Sequence, residues 1–350
     1  MFISFALGFL KALYRKDFKW FSLRSVALAS FLIFFLYIIL QGIIIDGLEL
    51  FFKKFDRGYA PYLVFLFTPL FFRKKRYVTL IPKAFIVGLL FLFTQIAIRS
   101  IVDGELYDRE KVYEVFDLHH LYASLFILIA INHLLFGLHK HQQQSKTVIH
   151  ILLLGVMIFF LMFFKSKAAM AILPVLIAYQ ILIRGKKMNK LLGIVIVAVG
   201  IGAFLYSNDL NEIYVKAFDF RLQIWEAAEK SISGNYLVGY GSLHEYDALR
   251  YQHFIDANYI FLDSNFNAHN QYLTLLLKFG IIGLLIFGFS FLALTGKIKG
   301  AKGKEYVGFL LVLGIMFFVE SVINRHHGIV ITAVMLYYYD FFKQTDIANA

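Results

Sequence analysis

Cysteine is absent from the 350 residues. That excludes disulfides, a thiol nucleophile and a thiolate metal site. Proline is rare, with four residues, and glycine ordinary, with 24. Charge is scarce: Asp, Glu, Lys and Arg make up 17% of the chain, against about 25% in a soluble domain. No Walker phosphate loop, HExxH pair or Asp-x-Asp occurs, so neither ATP nor a metal-held nucleotide sugar is indicated. His139-Lys140-His141 sits beside a cation and makes a poor metal site. No cofactor and no metal are therefore expected. A cleavable signal peptide is not expected either, because the run from Met1 to Leu10 is short and no small-residue cleavage site follows it.

Apolar residues fill the space that charge leaves. They make up 60% of the chain, Phe alone contributes 40 residues, and mean hydropathy is +0.69. A water-soluble fold cannot hide that much apolar side chain. The class expected is an all-α polytopic membrane protein. A net charge of +12 could suggest nucleic acid. In a membrane protein, excess Lys and Arg mark cytoplasmic loops instead, so the bilayer is the expected partner and nucleic acid is not.

Ten spans of about 20 residues or somewhat fewer are read at 22–45, 57–72, 79–98, 120–138, 147–164, 168–183, 189–206, 270–295, 305–323 and 328–342. Segment 1–20 reads as an interfacial helix, with Lys11, Arg15, Lys16 and Lys19 on its polar side. Basic residues crowd the loops of one side: the N-terminus, 73–76, Lys140, Lys146, Arg184, Lys186, Lys187, Lys190 and Lys297 to Lys304. This puts both termini in the cytoplasm. The organisation expected is 1–206 for the interfacial helix and spans 1–7, 207–269 for an external loop region, and 270–350 for spans 8–10 and a short tail.

The external edge collects the ionisable groups. It carries His119-His120, Lys165-Ser166-Lys167, Arg221, His269-Asn270, Glu320, Asn324-Arg325 and His326-His327. Ionisable groups at the hydrocarbon boundary are costly and tend to mark a substrate site. Two lysines at a tight external hairpin suit a phosphate; they also read as a solvated tip with snorkelling side chains. Arg221 and Trp225 share a helix face at i, i+4, and Arg suits forked binding of phosphate oxygens. The plainer reading is a surface Arg paired with Glu226 or an aromatic. His269 could accept a proton near neutral pH, or be structural. Glu320, close to Arg325, reads most simply as half of an ion pair. The Gly239-Tyr240-Gly241 turn breaks the external segment. With neither ATP nor metal indicated, an external site implies a substrate that arrives activated and lipid-borne.

Three stretches taken in order carry a resemblance. They are Arg221-Leu-Gln-Ile-Trp225, then Asn235 to Gly241 with its Gly-x-Gly turn, then His269-Asn270 opening an apolar helix with Gly280 and Gly283. This ordered set resembles the O-antigen ligase/polymerase superfamily. Ser166-Lys167 looks like the family's Ser-Arg motif, with Lys in place of Arg. His120-Leu-Tyr122 resembles its His-x-Tyr helix start, and Glu320 to Gly328 its late Glu…Arg…Gly segment. The resemblance covers roughly 118–342.

The resemblance implies a GT-C-like, metal-independent, inverting glycosyltransferase of the bacterial inner membrane, with its active face periplasmic. It would move a glycan from undecaprenyl diphosphate to a hydroxyl of a further glycan, of lipid A core or of a protein. His269 would be catalytic. Lys167 and Arg221 would hold the diphosphate, and Ser166, Asn270, Arg325 and His120 would line the substrate site. Glu320, Trp225, Gly239 and Gly241 would be structural. The ten spans are fewer than the twelve common in ligases, which leaves ligase and repeat-unit polymerase both open, with protein O-oligosaccharyl transfer a further possibility. The competing classes are a lipid-linked glycan flippase or transporter, and a membrane scaffold. A transporter should show paired repeats and helices broken at mid-membrane, and no such pairing is evident in the sequence.

Overall fold

The computed structural model describes residues 26–72, 75–137, 144–183, 220–262, 266–295, 298 and 300–348. The expected interfacial helix at 1–20, the span at 189–206 and the start of the external loop lie outside the described residues. The described elements are helices, with no strand among them. In chain order the main helices are α1 (Val26–Lys53), α2 (Ile81–Val102), α3 (Arg109–Phe116), α4 (His120–Gly137), α5 (Gln144–Phe163) and α6 (Lys167–Leu182). They continue with α7 (Phe220–Gly234), α8 (Glu245–Ile255), α9 (Gln271–Leu292), α10 (Gly300–Val319) and α11 (His326–Ala348). Four of these, α1, α2, α4 and α9, are long and apolar enough to cross a membrane.

Local sequence explains where the helices stop. α1 runs to Asp46 and breaks at Gly47, whose φ of 70° is left-handed and favours glycine. The span expected at 57–72 is a chain of short helical turns with Pro61 and Pro69 near two of their starts; proline removes an N–H and interrupts continuous helix. α6 starts at a Ser166 cap, its Oγ accepting from Ala169 N at 3.3 Å. α9 starts at an Asn270 cap, its Oδ1 accepting from Tyr272 N at 2.9 Å and Leu273 N at 3.2 Å.

The chain divides into two compact units. The first takes in α1, the short turns after it, α7, α8, α9, the end of α10 from Phe317, and α11. Its interior is aromatic. Phe31 stacks on Phe65 at 4.2 Å, and Phe34 meets Phe279 edge-on at 5.4 Å and Phe287 at 5.3 Å. Between spans there is little hydrophobic driving force, since lipid is as apolar as the side chains. Such ring pairs, worth about 0.5–1.5 kcal/mol each, and polar ties then carry the packing.

The second unit takes in α2 to α6 and α10 up to Met316. Phe93 and Phe160 stack at 3.7 Å. At the foot of α4, Asn132 Nδ2 donates to the Glu305 carbonyl at 3.0 Å, and the buried Glu305 carboxylate takes His133 at 2.7 Å and Lys302 at 2.7 Å. Gly308 leaves room there for Asn132, against which a Cβ would collide.

Candidate functional site

The first unit gathers several of the residues singled out in the sequence. Arg221 and Trp225 stand on α7, the helix that their i, i+4 spacing called for. The Trp225 ring packs edge-on against Phe318 at 5.0 Å, and its Nε1–H donates to the Ala268 carbonyl at 3.0 Å. That bond ties α7 to the residue before His269. His269 itself has φ 44°, a left-handed backbone uncommon for a residue with a side chain. Its N–H is held by Asn267 Oδ1 at 2.8 Å. Its imidazole Nδ1 faces Glu320 Oε2 at 3.4 Å, with the imidazole 30% exposed. Glu320 Oε1 in turn accepts from Ser321 N at 3.0 Å.

The same carboxylate reaches Arg221 electrostatically. Burial pulls the Arg221 guanidinium below its ordinary pKa, and the Glu320 charge opposes that shift. Arg221, Trp225, His269 and Glu320 therefore share one neighbourhood. Asn270 is buried with its side-chain oxygen committed to the α9 cap. Arg325 is exposed at the foot of α11 and acts electrostatically on Tyr246.

The remaining candidates belong to the second unit. Ser166 is buried as the α6 cap; Lys165 and Lys167 flank it, both exposed, with Lys165 at φ 48°. His120 opens α4, half-buried, its ring 4.2 Å from that of His119.

Below His269 lies a buried polar network that the sequence alone did not assign. Glu245, fully buried at the start of α8, takes Lys278 Nζ at 3.1 Å, Thr274 Oγ1 at 3.0 Å and Asn324 Nδ2 at 3.2 Å. Lys278 also donates to Asn324 Oδ1 at 2.8 Å. Ser321 Oγ donates to Thr274 Oγ1 at 2.9 Å, and Gln271 Oε1 accepts from Ile323 N at 2.6 Å. The network fixes the 320–325 segment against α9, and so fixes Glu320 relative to His269. Lys278 was findable as a lone cation inside an apolar run. Glu245 has no local signal.

The Gly-x-Gly turn docks on a break in α9. Gly280 has φ 62° inside that helix, so α9 bends there. The freed backbone pairs with the turn: Tyr240 N to Leu277 O at 2.7 Å, Gly241 N to Lys278 O at 2.8 Å, and Ile281 N to Tyr236 O at 2.9 Å. Among the described residues, no group of three His, Asp or Glu side chains is arranged to hold a metal.

A protein whose described residues form helices and no strand, with apolar helices of spanning length and a cation–imidazole–carboxylate cluster where one span begins, is an integral membrane protein with a candidate site at that level. Residues 144–288 match the family described as O-antigen ligase. The matched stretch contains Ser166, Lys167, Arg221, Trp225, the glycine turn, Glu245, His269 and Lys278. No curated protein matches the chain.

Proposed function

We propose that the protein transfers a glycan from a polyprenyl diphosphate, of the undecaprenyl class, to an acceptor hydroxyl at the periplasmic face of a bacterial inner membrane. The observation that carries the reading is the shared neighbourhood of Arg221, Trp225, His269 and Glu320, the first three of them within the stretch that matches the O-antigen ligase family.

In the reaction the acceptor oxygen bonds to C1 of the donor sugar as the bond from C1 to the diphosphate oxygen breaks. The acceptor proton passes to His269, and the diphosphate leaves with the electron pair. A single displacement inverts C1. Arg221 stabilises the charge that develops on the leaving group, an effect typically worth on the order of 3 kcal/mol in the barrier. Proton acceptance by an imidazole contributes about 10²- to 10⁴-fold. Glu320 orients the imidazole through Nδ1, which leaves Nε2 for the acceptor. Lys167, in the second unit, is the residue that the resemblance sets in the place of the family's Arg. It is a point charge where the family carries a fork.

Purified protein in nanodiscs, given a polyprenyl-diphosphate glycan and an acceptor, tests the reading. His269→Ala should abolish transfer while the protein stays inserted and folded; transfer at the wild-type rate would remove His269 from the mechanism. Deletion in the encoding bacterium separates the two leading activities. Loss of a polymerase leaves surface lipid capped by one repeat unit. Loss of a ligase leaves bare core, with polymer stranded on its carrier.

A further inference from the structure

The segment from Asn235 to Glu245 lies between two helices of the first unit, and its depth can be read from each. Along α9, rising about 1.5 Å per residue, Lys278 stands about 10 Å and Ile281 about 15 Å beyond the Gln271 start. These are the residues that the segment bonds: Tyr240 N to Leu277 O, Gly241 N to Lys278 O, Ile281 N to Tyr236 O, and Ile282 N to Leu237 O at 3.3 Å. Along α1, counting back from the break after Asp46 at the same rise, Gln41 is about 7 Å and Tyr37 about 13 Å inside. Gln41 Nε2 donates to the carbonyls of Val238 and, at 2.8 Å, Lys278. Tyr37 OH donates to Phe279 O at 2.8 Å. The two rulers agree. A third tie, Lys278 to Glu245 at 3.1 Å, holds the first residue of α8 at the Lys278 level. Half of a hydrocarbon core is about 15 Å.

The composition of the segment matches that depth. Tyr236, Leu237 and Val238 are 50%, 63% and 40% exposed. Leu36 and Leu40 of α1, at the same level, are 57% and 60% exposed, as lipid-facing positions of a span are. Each backbone polar group left unsatisfied at membrane depth costs several kcal/mol, so pairing with protein favours irregular backbone there. Here the carbonyls of Tyr236, Leu237 and Val238 and the N–H groups of Gly239, Tyr240 and Gly241 have partners among the described residues, whereas the N–H groups of Tyr236, Leu237 and Val238 do not.

We propose that residues 235–245 are a re-entrant segment that descends from the loop region into the adjoining leaflet. The side chains of Tyr236, Leu237 and Val238 contact lipid acyl chains rather than water. The inference rests on the membrane spans alone, not on the activity proposed above.

The cysteine-free chain makes the test direct. Leu237→Cys and Val238→Cys, with Glu229→Cys on the exposed face of α7 as control, are spin-labelled in nanodiscs. Relaxation by oxygen, which concentrates in acyl chains, is then compared with relaxation by a water-soluble nickel chelate. The expected result is oxygen-dominated relaxation at 237 and 238 and nickel-dominated relaxation at 229. Labelling by a polar maleimide should also be at least ten-fold slower at 237 than at 229. Nickel access at 237 and 238 equal to that at 229 would overturn the proposal. So would shielding from both reagents, which would mean that protein covers the segment. Either cysteine alone suffices if the other variant fails to fold.

Discussion

Gly239 and Gly280 meet backbone to backbone: a Cβ added to Gly239 would stand 2.6 Å from the Gly280 nitrogen. Both also carry left-handed φ, 72° and 62°. The Gly-x-Gly turn and the glycine in the middle of α9 are thus two halves of one joint. The joint lets an extended segment pair with a broken helix.

Alanine at either position is therefore expected to destabilise the protein. The left-handed backbone alone costs about 1–2 kcal/mol for a residue with a Cβ, and the collision adds to it. Gly288 lies further along α9, where an added Cβ would meet nothing within 4 Å. Gly288→Ala should stabilise by up to about 1 kcal/mol through helix propensity. Thermal unfolding in detergent should give Tm shifts of opposite sign for Gly280→Ala and Gly288→Ala.

The Glu245–Lys278 pair is buried on both sides. Removing one partner strands the other charge, at a cost of about 3–5 kcal/mol. Lys278→Met and Glu245→Gln should each lower Tm sharply. The double variant should lose less than the sum of the two, because neither charge is then left alone. Additive losses in a double-mutant cycle would show that the pair is not coupled.

Much of this was legible in the sequence. Apolar runs point to the all-helical class, and the i, i+4 spacing puts Arg221 and Trp225 on one helix. The ordered motifs lead to the family that residues 144–288 match. What stayed hidden depended on contacts between distant residues. Glu245 sits in a polar stretch, and its burial follows only from Lys278, Thr274 and Asn324 arriving from other segments. That the Asn270 oxygen caps α9 was not read from the sequence, although Asn commonly takes that role. The Gly280 break could not be read from an apolar run, because glycine is tolerated inside helices as well as at their interruptions.

His253 makes the loop region sensitive to acid. It is 2% exposed and stacks on Phe261 at 4.5 Å. Burial holds its imidazole below the ordinary value, and the Asp256 charge offsets only part of that. Below about pH 6.5 the unfolded chain binds a proton that the folded chain resists, so stability falls as pH drops through that range. His253→Phe should remove this component. Hydrogen exchange of α8 at pH 7.5 and pH 5.5 checks it: α8 protection should drop at the lower pH in the wild type and drop less in the variant.

Arg221 and Trp225 can be separated by chemistry. Arg221→Lys keeps the charge and loses the fork, so on the proposed assignment the two parallel bonds to a diphosphate would become one. Transfer should fall by about ten-fold or more, each 1.4 kcal/mol of lost transition-state stabilisation being a factor of ten. Trp225→Phe keeps a ring against Phe318 but removes the N–H that holds Ala268, a bond worth about 1 kcal/mol. That loosens the backbone on which His269 stands without touching the cation. It should lower kcat with little change in the donor KM. Steady-state kinetics in nanodiscs with a lipid-linked donor distinguishes the two. If Arg221→Lys leaves both constants unchanged, the guanidinium does not hold the diphosphate. If Trp225→Phe instead raises the donor KM at constant kcat, the indole contacts the donor itself rather than positioning the imidazole.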